Sequence, residues 1–213
     1  MGVTLLPVEI PDILFENDDF IALNKPAGWL SIPARDPQPK DRVLTEWLRS
    51  KNEGETWVVH RLDRFTSGVM LFAKTKKSHQ EASLWFQNRK IKKTYQFLAA
   101  PPPKSPAIQI RKPIDDKPSQ TLFEVIEKTE TVFFGKATPL TGRFHQIREH
   151  AQVAGFPILG DQKFGGLTAI VNRDQTIVFP RFCLHAFELQ LPFGTFQAPL
   201  ALDLIELKKK LFS

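Results

Sequence analysis

The sequence predicts an α+β protein with a mixed, mainly antiparallel central sheet flanked by helices and loops. Many short segments have the composition and spacing of strands, whereas only a few show helical spacing. This mixture is typical of the α+β class. A chain of 213 residues can hold one domain with a sizeable core or two small ones. Since no repeat, low-complexity segment or linker interrupts the chain, we expect a single domain over residues 1–213.

The N-terminal part is predicted to be an extended lead-in followed by two strands. Residues 1–11 contain two prolines and no periodic pattern, which indicates an extended lead-in. Residues 13–15 and 20–24 have strand character, and the polar residues 16–19 would form the turn between them. Lys25-Pro26-Ala27-Gly28 then interrupts the pattern as a second turn.

A surface loop and two helices are predicted on either side of the central strands. Residues 33–40 hold three prolines and should form the loop, after which a helix is expected from Asp41. The second helix is predicted from Ser78, which forms an S-x-x-E capping box with Glu81. A strand over residues 94–99 should stop at the triple proline that follows it.

The C-terminal half is predicted to alternate strands with one helix. The turn of residues 139–142, with its one proline and one glycine, leads into a helix over residues 143–154, which Gly155 would end in the left-handed conformation. We expect strands at 178–184 and 187–191, and a solvated basic tail at 208–213. The buried face of the predicted helix would consist of Phe144, Ile147, Ala151 and Ala154.

The central motif runs from His60 to Gly68 and places one carboxylate between two arginines. Asp63 lies between Arg61 and Arg64. An apolar pair of valines precedes the motif, and a strand-like apolar run follows it. Neighbouring guanidinium groups favour the ionised carboxylate, so we expect Asp63 to be charged at neutral pH. An isolated Asp–Arg pair is usually structural, and only the rest of the chain gives this one a functional meaning.

Net charge limits the kinds of binding partner, and cysteine content indicates the redox state of the cell compartment. The net charge is +6 and the sequence pI is about 9.5, which favours RNA, DNA or an anionic lipid surface as partner. No apolar run approaches the roughly 20 residues of a membrane span. The single cysteine, Cys183, excludes an internal disulfide and fits a reducing cytoplasm. Its apolar neighbours predict a buried thiol rather than a nucleophile.

The ordered motifs together resemble the RluA-type RNA pseudouridine synthases over residues 18–207. The resemblance is carried by His60-Arg61-Leu62-Asp63 with Thr66-Ser67-Gly68, and by five further motifs at compatible spacing. These are Asn24-Lys25-Pro26-Ala27-Gly28, Lys93-Thr94-Tyr95, Leu140 to Arg148, Pro157 to Asp161, and Leu184-His185-Ala186. The resemblance implies a catalytic domain without a preceding small RNA-binding domain, since only about a dozen residues precede the first strand.

The resemblance also implies a role for each residue of a site. Asp63 would be the catalytic carboxylate, Tyr95 would stack on the target uracil, and Arg148 would bridge to the aspartate. Arg61 would assist base flipping, and Lys25 would line the entrance as a phosphate contact. Arg143 and His145 would touch phosphate or backbone.

The same resemblance implies the partners of the enzyme and its setting. No cofactor or metal ion is expected, and the partner would be ribosomal or transfer RNA, with a stem-loop as the expected target shape. The protein would be a cytoplasmic monomer with no membrane association. The cations of residues 74–93 could add an RNA-facing stripe.

Three other functions were weighed against this expectation. A metal-dependent hydrolase using His145, His150 and Asp161 is disfavoured, because histidines five residues apart point to different helix faces. A non-catalytic RNA-binding protein would be free to lose Asp63, Tyr95 and Arg148, all of which are present. An enzyme of small nucleosides should need a less basic surface.

Overall fold

The fold is a mixed sheet of mostly antiparallel strands with four α-helices, which confirms the predicted class. In the computed structural model, residues 9–51, 54–173 and 175–213 are described. No helix in these ranges has the length and apolar character that a bilayer crossing demands.

In chain order, the first six strands are β1 (Asp12–Glu16), β2 (Phe20–Lys25), β3 (Trp57–Val58), β4 (Ser67–Ala73), β5 (Lys92–Ala99) and β6 (Ala107–Ile110). The other six are β7 (Thr121–Lys128), β8 (Phe133–Pro139), β9 (Ala169–Asn172), β10 (Gln175–Val178), β11 (Leu184–Leu191) and β12 (Gly194–Gln197). The helices are α1 (Leu44–Ser50), α2 (Lys76–Gln87), α3 (Gln146–Val153) and α4 (Leu202–Phe212), and a 3-10 turn spans Gln162–Phe164.

The chain forms two compact units. The first unit comprises Glu9–Lys93 and Ala186–Pro199, and the second comprises Thr94–His185 and Leu200–Ser213. Each unit has its own cluster of buried apolar side chains.

The first unit is organised around β4. All seven of its residues are buried, because the strand is an almost continuous apolar run that can be covered on both faces. Strands β2 and β3 pair with β4 in antiparallel register, and β1 pairs with β2. The turn between β1 and β2 is held by Asn17, whose Oδ1 accepts hydrogen bonds from the backbone N–H groups of Asp19 and Phe20. The two predicted N-terminal strands are therefore confirmed.

Both helices of the first unit begin at residues other than those predicted. Helix α1 begins at Leu44 rather than Asp41, whose carboxylate instead accepts the Gln38 N–H and pairs with Arg64 at 3.0 Å. Helix α2 is capped by Thr75, whose Oγ1 accepts the backbone N–H of Ser78 at 3.0 Å. Ser78 bonds back to the Thr75 N–H, so the capping box exists but lies three residues earlier than predicted.

The second unit contains the antiparallel strand order β5-β8-β7-β6 and a separate hairpin of β9 and β10. Its core is an aromatic cluster in which Phe97, Phe123, Phe133 and Phe156 meet largely edge to face. Gly135 of β8 makes room for this cluster, since a Cβ there would lie 2.8 Å from the Phe97 ring.

Three predictions for the C-terminal half are corrected. Residues 179–183 lie outside any strand, because Pro180 has no N–H to donate, and β11 runs unbroken through His185 and Ala186. The predicted basic tail is the end of helix α4, in which Leu204, Leu207 and Leu211 are buried. Helix α3 begins at Gln146, so Phe144 precedes it and leaves the predicted buried face.

The predicted end of α3 is confirmed, since Gly155 adopts the left-handed conformation. Of the predicted N-terminal lead-in, residues 1–8 lie outside the described residues.

Candidate active site

Asp63 lies in a tight turn that connects β3 to β4. The backbone N–H of Thr66 donates to the Asp63 carbonyl at 3.0 Å and closes the turn. Along the extended segment before it, Arg61 is exposed, Leu62 is buried and Asp63 is half-buried. Leu62 therefore anchors the segment in the first unit while the two charged side chains point elsewhere.

Lys25 stabilises this turn from the interior of the first unit. Its side chain is completely buried, and its ammonium donates to the carbonyls of Pro26 (3.0 Å), Arg64 (2.9 Å) and Thr66 (2.7 Å). A buried ammonium is stable only when it is hydrogen-bonded in this way. Lys25 was expected at an exposed entrance as a phosphate contact. The structure instead places it in the interior as the support of the Asp63 turn.

Backbone contacts tie the turn at Gly28 to the same segment. The Gly28 N–H donates to the Arg64 carbonyl at 2.8 Å, and Arg64 Nε donates back to the Gly28 carbonyl at 3.2 Å. Gly28 and Arg64, which are 36 residues apart in sequence, thus join the two motifs into one structural support.

Gly68 allows β4 to approach Ala186 closely. Its φ is +111°, and a Cβ at this position would lie 2.1 Å from the Ala186 carbonyl oxygen. No other residue type combines this conformation with this space. The glycine that ends the central motif is therefore explained by this close backbone packing.

His60 is a motif residue to which the sequence assigned no role. Its Nε2 accepts the backbone N–H of Leu71 at 3.0 Å, and its ring stacks on Phe86 at 5.1 Å. Burial, and to a smaller extent the nearby charge of Lys93, lower the pKa of His60 to about 3. Burial also lowers the pKa of Lys93. His60 is thus a neutral acceptor that holds the start of the motif against β4.

In the second unit, Tyr95 lies on β5 opposite Ala137 of β8. It is half-buried and packs against the aromatic core, so its ring is supported on one side. Such a fixed ring is suited to stacking on a planar base.

Arg148 of α3 is buried and held by a partner that the sequence did not identify. Its Nε and Nη2 donate to the two carboxylate oxygens of Asp161 at 2.6 and 2.8 Å. The guanidinium also lies 4.0 Å from the Phe182 ring centroid and 5.0 Å from that of Phe164. The bidentate pair and the two rings leave the guanidinium little freedom to rotate.

Gln146 organises the loop that carries Arg143 and His145. Its Oε1 accepts from Thr141 Oγ1 (2.7 Å) and the Arg143 N–H (3.0 Å). Its Nε2 donates to the Gln120 carbonyl (2.9 Å) and Thr121 Oγ1 (3.0 Å). All four hydrogen-bonding positions of this buried amide are therefore used. Sequence reasoning quoted Gln146 within a motif but gave it no role.

Arg143 and His145 lie at the surface end of that loop. Arg143 Nε and Nη2 donate to the Pro118 carbonyl at 3.4 and 3.3 Å. His145 adopts φ +55° immediately before α3, and its Nδ1 lies 3.2 Å from Lys163 Nζ. A histidine with positive φ is uncommon, and this one turns the chain into α3.

Residues 19–153 match the family model described as RNA pseudouridylate synthase. The chain belongs to the RNA pseudouridylate synthase family. Its activity as a family member is the isomerisation of uridine to pseudouridine in RNA.

Curated relatives from two bacteria cover most of the chain. The dual-specificity RNA pseudouridine synthase RluA of Vibrio parahaemolyticus is 35% identical over 199 residues, which cover 84% of this chain and 76% of the relative. The enzyme of the same name from Escherichia coli K12 is 34% identical over 209 residues, covering 88% and 92%. Both relatives are named as enzymes, so they give the non-catalytic alternative no support.

Two solved human structures share the fold of this pseudouridylate synthase family member. Human RNA pseudouridylate synthase domain containing 4 superposes with a TM-score of 0.74 at 22% identity, covering 94% of this chain and 92% of that one. Human RNA pseudouridylate synthase domain containing 1 gives a TM-score of 0.71 at 24% identity, covering 98% of both chains.

The residues of the rejected metal site are engaged elsewhere. His150 is buried, with Nδ1 2.9 Å from Thr121 Oγ1 and Nε2 2.9 Å from the Lys112 carbonyl, and Asp161 binds Arg148. Within residues 9–51, 54–173 and 175–213, no group of three or more histidine, cysteine, aspartate or glutamate side chains is arranged to hold a metal ion.

Proposed function

We propose that this chain isomerises uridines of ribosomal or transfer RNA with Asp63 as the catalytic carboxylate. The observation that carries the proposal is the half-buried Asp63 on a turn clamped by the three hydrogen bonds of Lys25. A catalytic group must be held in place before the substrate arrives, and this turn is held at both ends. The name of the bacterial relatives, dual-specificity RNA pseudouridine synthase, supports RNA as the substrate and more than one kind of target.

The reaction requires the target base to leave the stack before any bond breaks. Base flipping costs a few kcal/mol and is easiest in loops, which favours a stem-loop target. The exposed Arg61, two residues before Asp63, is assigned to the flipped nucleotide. We retain a monomeric, cytoplasmic enzyme, and a single catalytic domain over residues 1–213, as parts of this proposal.

The chemistry is an isomerisation, so atoms and electrons balance without a co-reactant. The Asp63 carboxylate either attacks C1′ or removes the proton from C2′, and the C1′–N1 bond breaks. The uracil then rotates and C5 bonds to C1′, which breaks the Asp63–C1′ bond in the first route and returns the proton to C2′ in the second. In both routes the C5 proton is then lost while N1 gains one. Both routes need an ionised carboxylate at the sugar, and the proposal leaves open which of them operates.

Four further residues complete the proposed site. Tyr95 stacks on the uracil, and its hydroxyl serves the proton transfer at C5. Arg148 is the cation of the proposed site, and Asp161 holds its guanidinium in one orientation. Arg143 and His145 contact the RNA backbone, whereas Lys25 acts on the site through the turn that it supports.

The test is tritium release from RNA transcripts that carry 5-tritiated uridine. Unmodified ribosomal and transfer RNA would be offered to the wild type, to Asp63→Asn and to Asp18→Asn, an exposed carboxylate of the same unit. We expect release by the wild type and Asp18→Asn, and at least a thousandfold lower rate for Asp63→Asn. Retention of more than a few per cent of activity by Asp63→Asn would remove Asp63 from its role.

A further inference from the structure

Phe144 has a solvent-exposed aromatic ring that the proposed mechanism does not use. It lies in the same motif as Arg143, His145 and Arg148, which the mechanism does use. It leaves 67% of its surface open, more than any other phenylalanine in the described ranges. The helical pattern had predicted a buried side chain at this position, but α3 begins two residues later. A single exposed apolar residue is ordinary and has no meaning by itself. Its surroundings decide what the ring can do.

The ring is presented by a rigid loop. Gln146 fixes the backbone on the N-terminal side through the Arg143 N–H and ties it to the strand residues Gln120 and Thr121. On the C-terminal side, the left-handed His145 turns the chain into α3, and its ring centroid lies 3.6 Å from that of Phe144. Little conformational entropy remains to be lost when a ligand covers a ring held in this way.

One cationic side chain lies near the ring, and another precedes it in the chain. Lys163 Nζ is 6.0 Å from the Phe144 centroid and 3.2 Å from His145 Nδ1. Arg143 is the residue before Phe144 and donates two of its N–H groups to the Pro118 carbonyl. A patch for protein docking would need a contiguous apolar surface, whereas an aromatic ring accompanied by cations is typical of single-stranded nucleic-acid grooves.

We propose that Phe144 is a stacking platform for an unpaired base of the RNA substrate other than the target uridine. Lys163 and Arg143 neutralise the phosphates on either side of that base. Because stacking accepts every base, Phe144 contributes affinity and orientation rather than sequence selection. This inference rests on the proposed function for the identity of the RNA and adds to it a contact outside the reacting nucleotide.

The first experiment compares substitutions at Phe144 in steady-state tritium release. Phe144→Leu keeps the apolar area but removes the aromatic face, whereas Phe144→Trp keeps that face. We expect Phe144→Leu to raise KM at least fivefold with kcat within twofold, and Phe144→Trp to restore the wild-type KM. Val171→Ala, an apolar residue of the same unit with 71% exposure, is the control and should leave KM unchanged.

A second experiment reads proximity directly. Phe144 is replaced by the photocrosslinking amino acid p-benzoylphenylalanine, with the same replacement at Val171 as control, and the protein is irradiated with the labelled transcripts. We expect RNA crosslinks from position 144 alone. In parallel, Lys163→Gln should lower the slope of log binding constant against log salt by about one.

The outcomes separate this inference from the proposed function. A KM for Phe144→Leu within twofold of wild type, or crosslinks from position 144 only to a second copy of the chain, would overturn the stacking role. If the wild type released no tritium from either RNA, the proposed function would fail, and filter binding would decide the inference. A fivefold loss of RNA affinity in Phe144→Leu would then sustain it, and unchanged affinity would overturn it.

Discussion

Arg148 and Asp161 form a buried ion pair in which each charge depends on the other. Both side chains are almost fully enclosed, and the two carboxylate oxygens meet two guanidinium nitrogens. Removing one partner of such a pair leaves an uncompensated charge in the interior, which costs far more than breaking a surface pair.

We therefore expect Asp161→Asn to lower the free energy of unfolding by about 3 kcal/mol. The matched control is Glu124→Gln, which breaks the exposed Lys136–Glu124 pair and should change stability by less than about 1 kcal/mol. Urea denaturation of the three proteins measures both effects. Equal stabilities for the two variants would mean that Asp161 does not balance the Arg148 charge.

His60 gives the stability of the fold a dependence on pH. Above pH 6.5 the imidazole is neutral in both the folded and unfolded chain, so it contributes no pH dependence. Below that value His60 is protonated in the unfolded chain but stays neutral in the folded chain, because burial lowers its pKa to about 3. Stability should therefore fall as the pH drops from about 6.5 towards 3.

The expected slope from His60 is roughly 1.4 kcal/mol per pH unit below pH 6. Urea titrations at pH 7, 6 and 5 would compare the wild type with His60→Gln, whose side-chain oxygen can still accept the Leu71 N–H. The stability of His60→Gln should therefore depend less steeply on pH than that of the wild type, by this amount. His150, whose pKa burial also lowers, contributes equally to both proteins and cancels. Parallel slopes would show that His60 is protonated alike in both states.

The sequence could identify Asp63 as the candidate carboxylate, but not the contacts that stabilise the turn on which it lies. Asp63 follows from its motif and its two arginines, which are local features. Lys25, Asp161 and Gln146 act through partners 41, 13 and 26 residues away. Such contacts depend on how strands and helices pack, and no spacing in the chain announces them. Lys25 was misplaced for this reason, because a lysine beside a proline and a glycine suggests a surface turn.

At the scale of elements, local rules succeeded where the pattern was regular. The strands β1, β2 and β5 follow from alternation and flanking turns, and Gly155 marks the end of α3. Helix α4 was missed because three consecutive lysines suggested a tail. Its leucines at 204, 207 and 211 nevertheless have helical spacing, and Asp203 lies in its first turn. That signal was present in the sequence.

The start of α2 allows a direct test of a capping assignment. We expect Thr75→Ala to cost about 1 kcal/mol, because its Oγ1 accepts the Ser78 N–H at the helix start. Ser83→Ala is the control: its hydroxyl bonds back to the His79 carbonyl in mid-helix, and its loss should be neutral or slightly stabilising. Thermal unfolding followed by circular dichroism gives both values. If Thr75→Ala matched the control, the cap would lie elsewhere.

At the scale of the whole molecule, charge was the most informative property of the composition. The net charge of +6 favoured a polyanionic partner, and family membership identifies that partner as RNA. The structure divides the basic run of residues 74–93 by environment. Lys74 pairs with Glu16 and Lys93 is largely buried, whereas the others are exposed: Lys76, Lys77, Arg89, Lys90 and Lys92. Composition predicts the sum of charges but not which of them reach solvent.

The enclosure of Lys25 also determines its chemical reactivity. Acylating reagents need a neutral amine that they can approach, and this ammonium is buried with three carbonyls around it. In the native protein the exposed lysines will be acetylated first, and Lys25 only when the turn around Asp63 opens. The rate at which mass spectrometry detects the label on Lys25 therefore reports how often the turn around Asp63 opens.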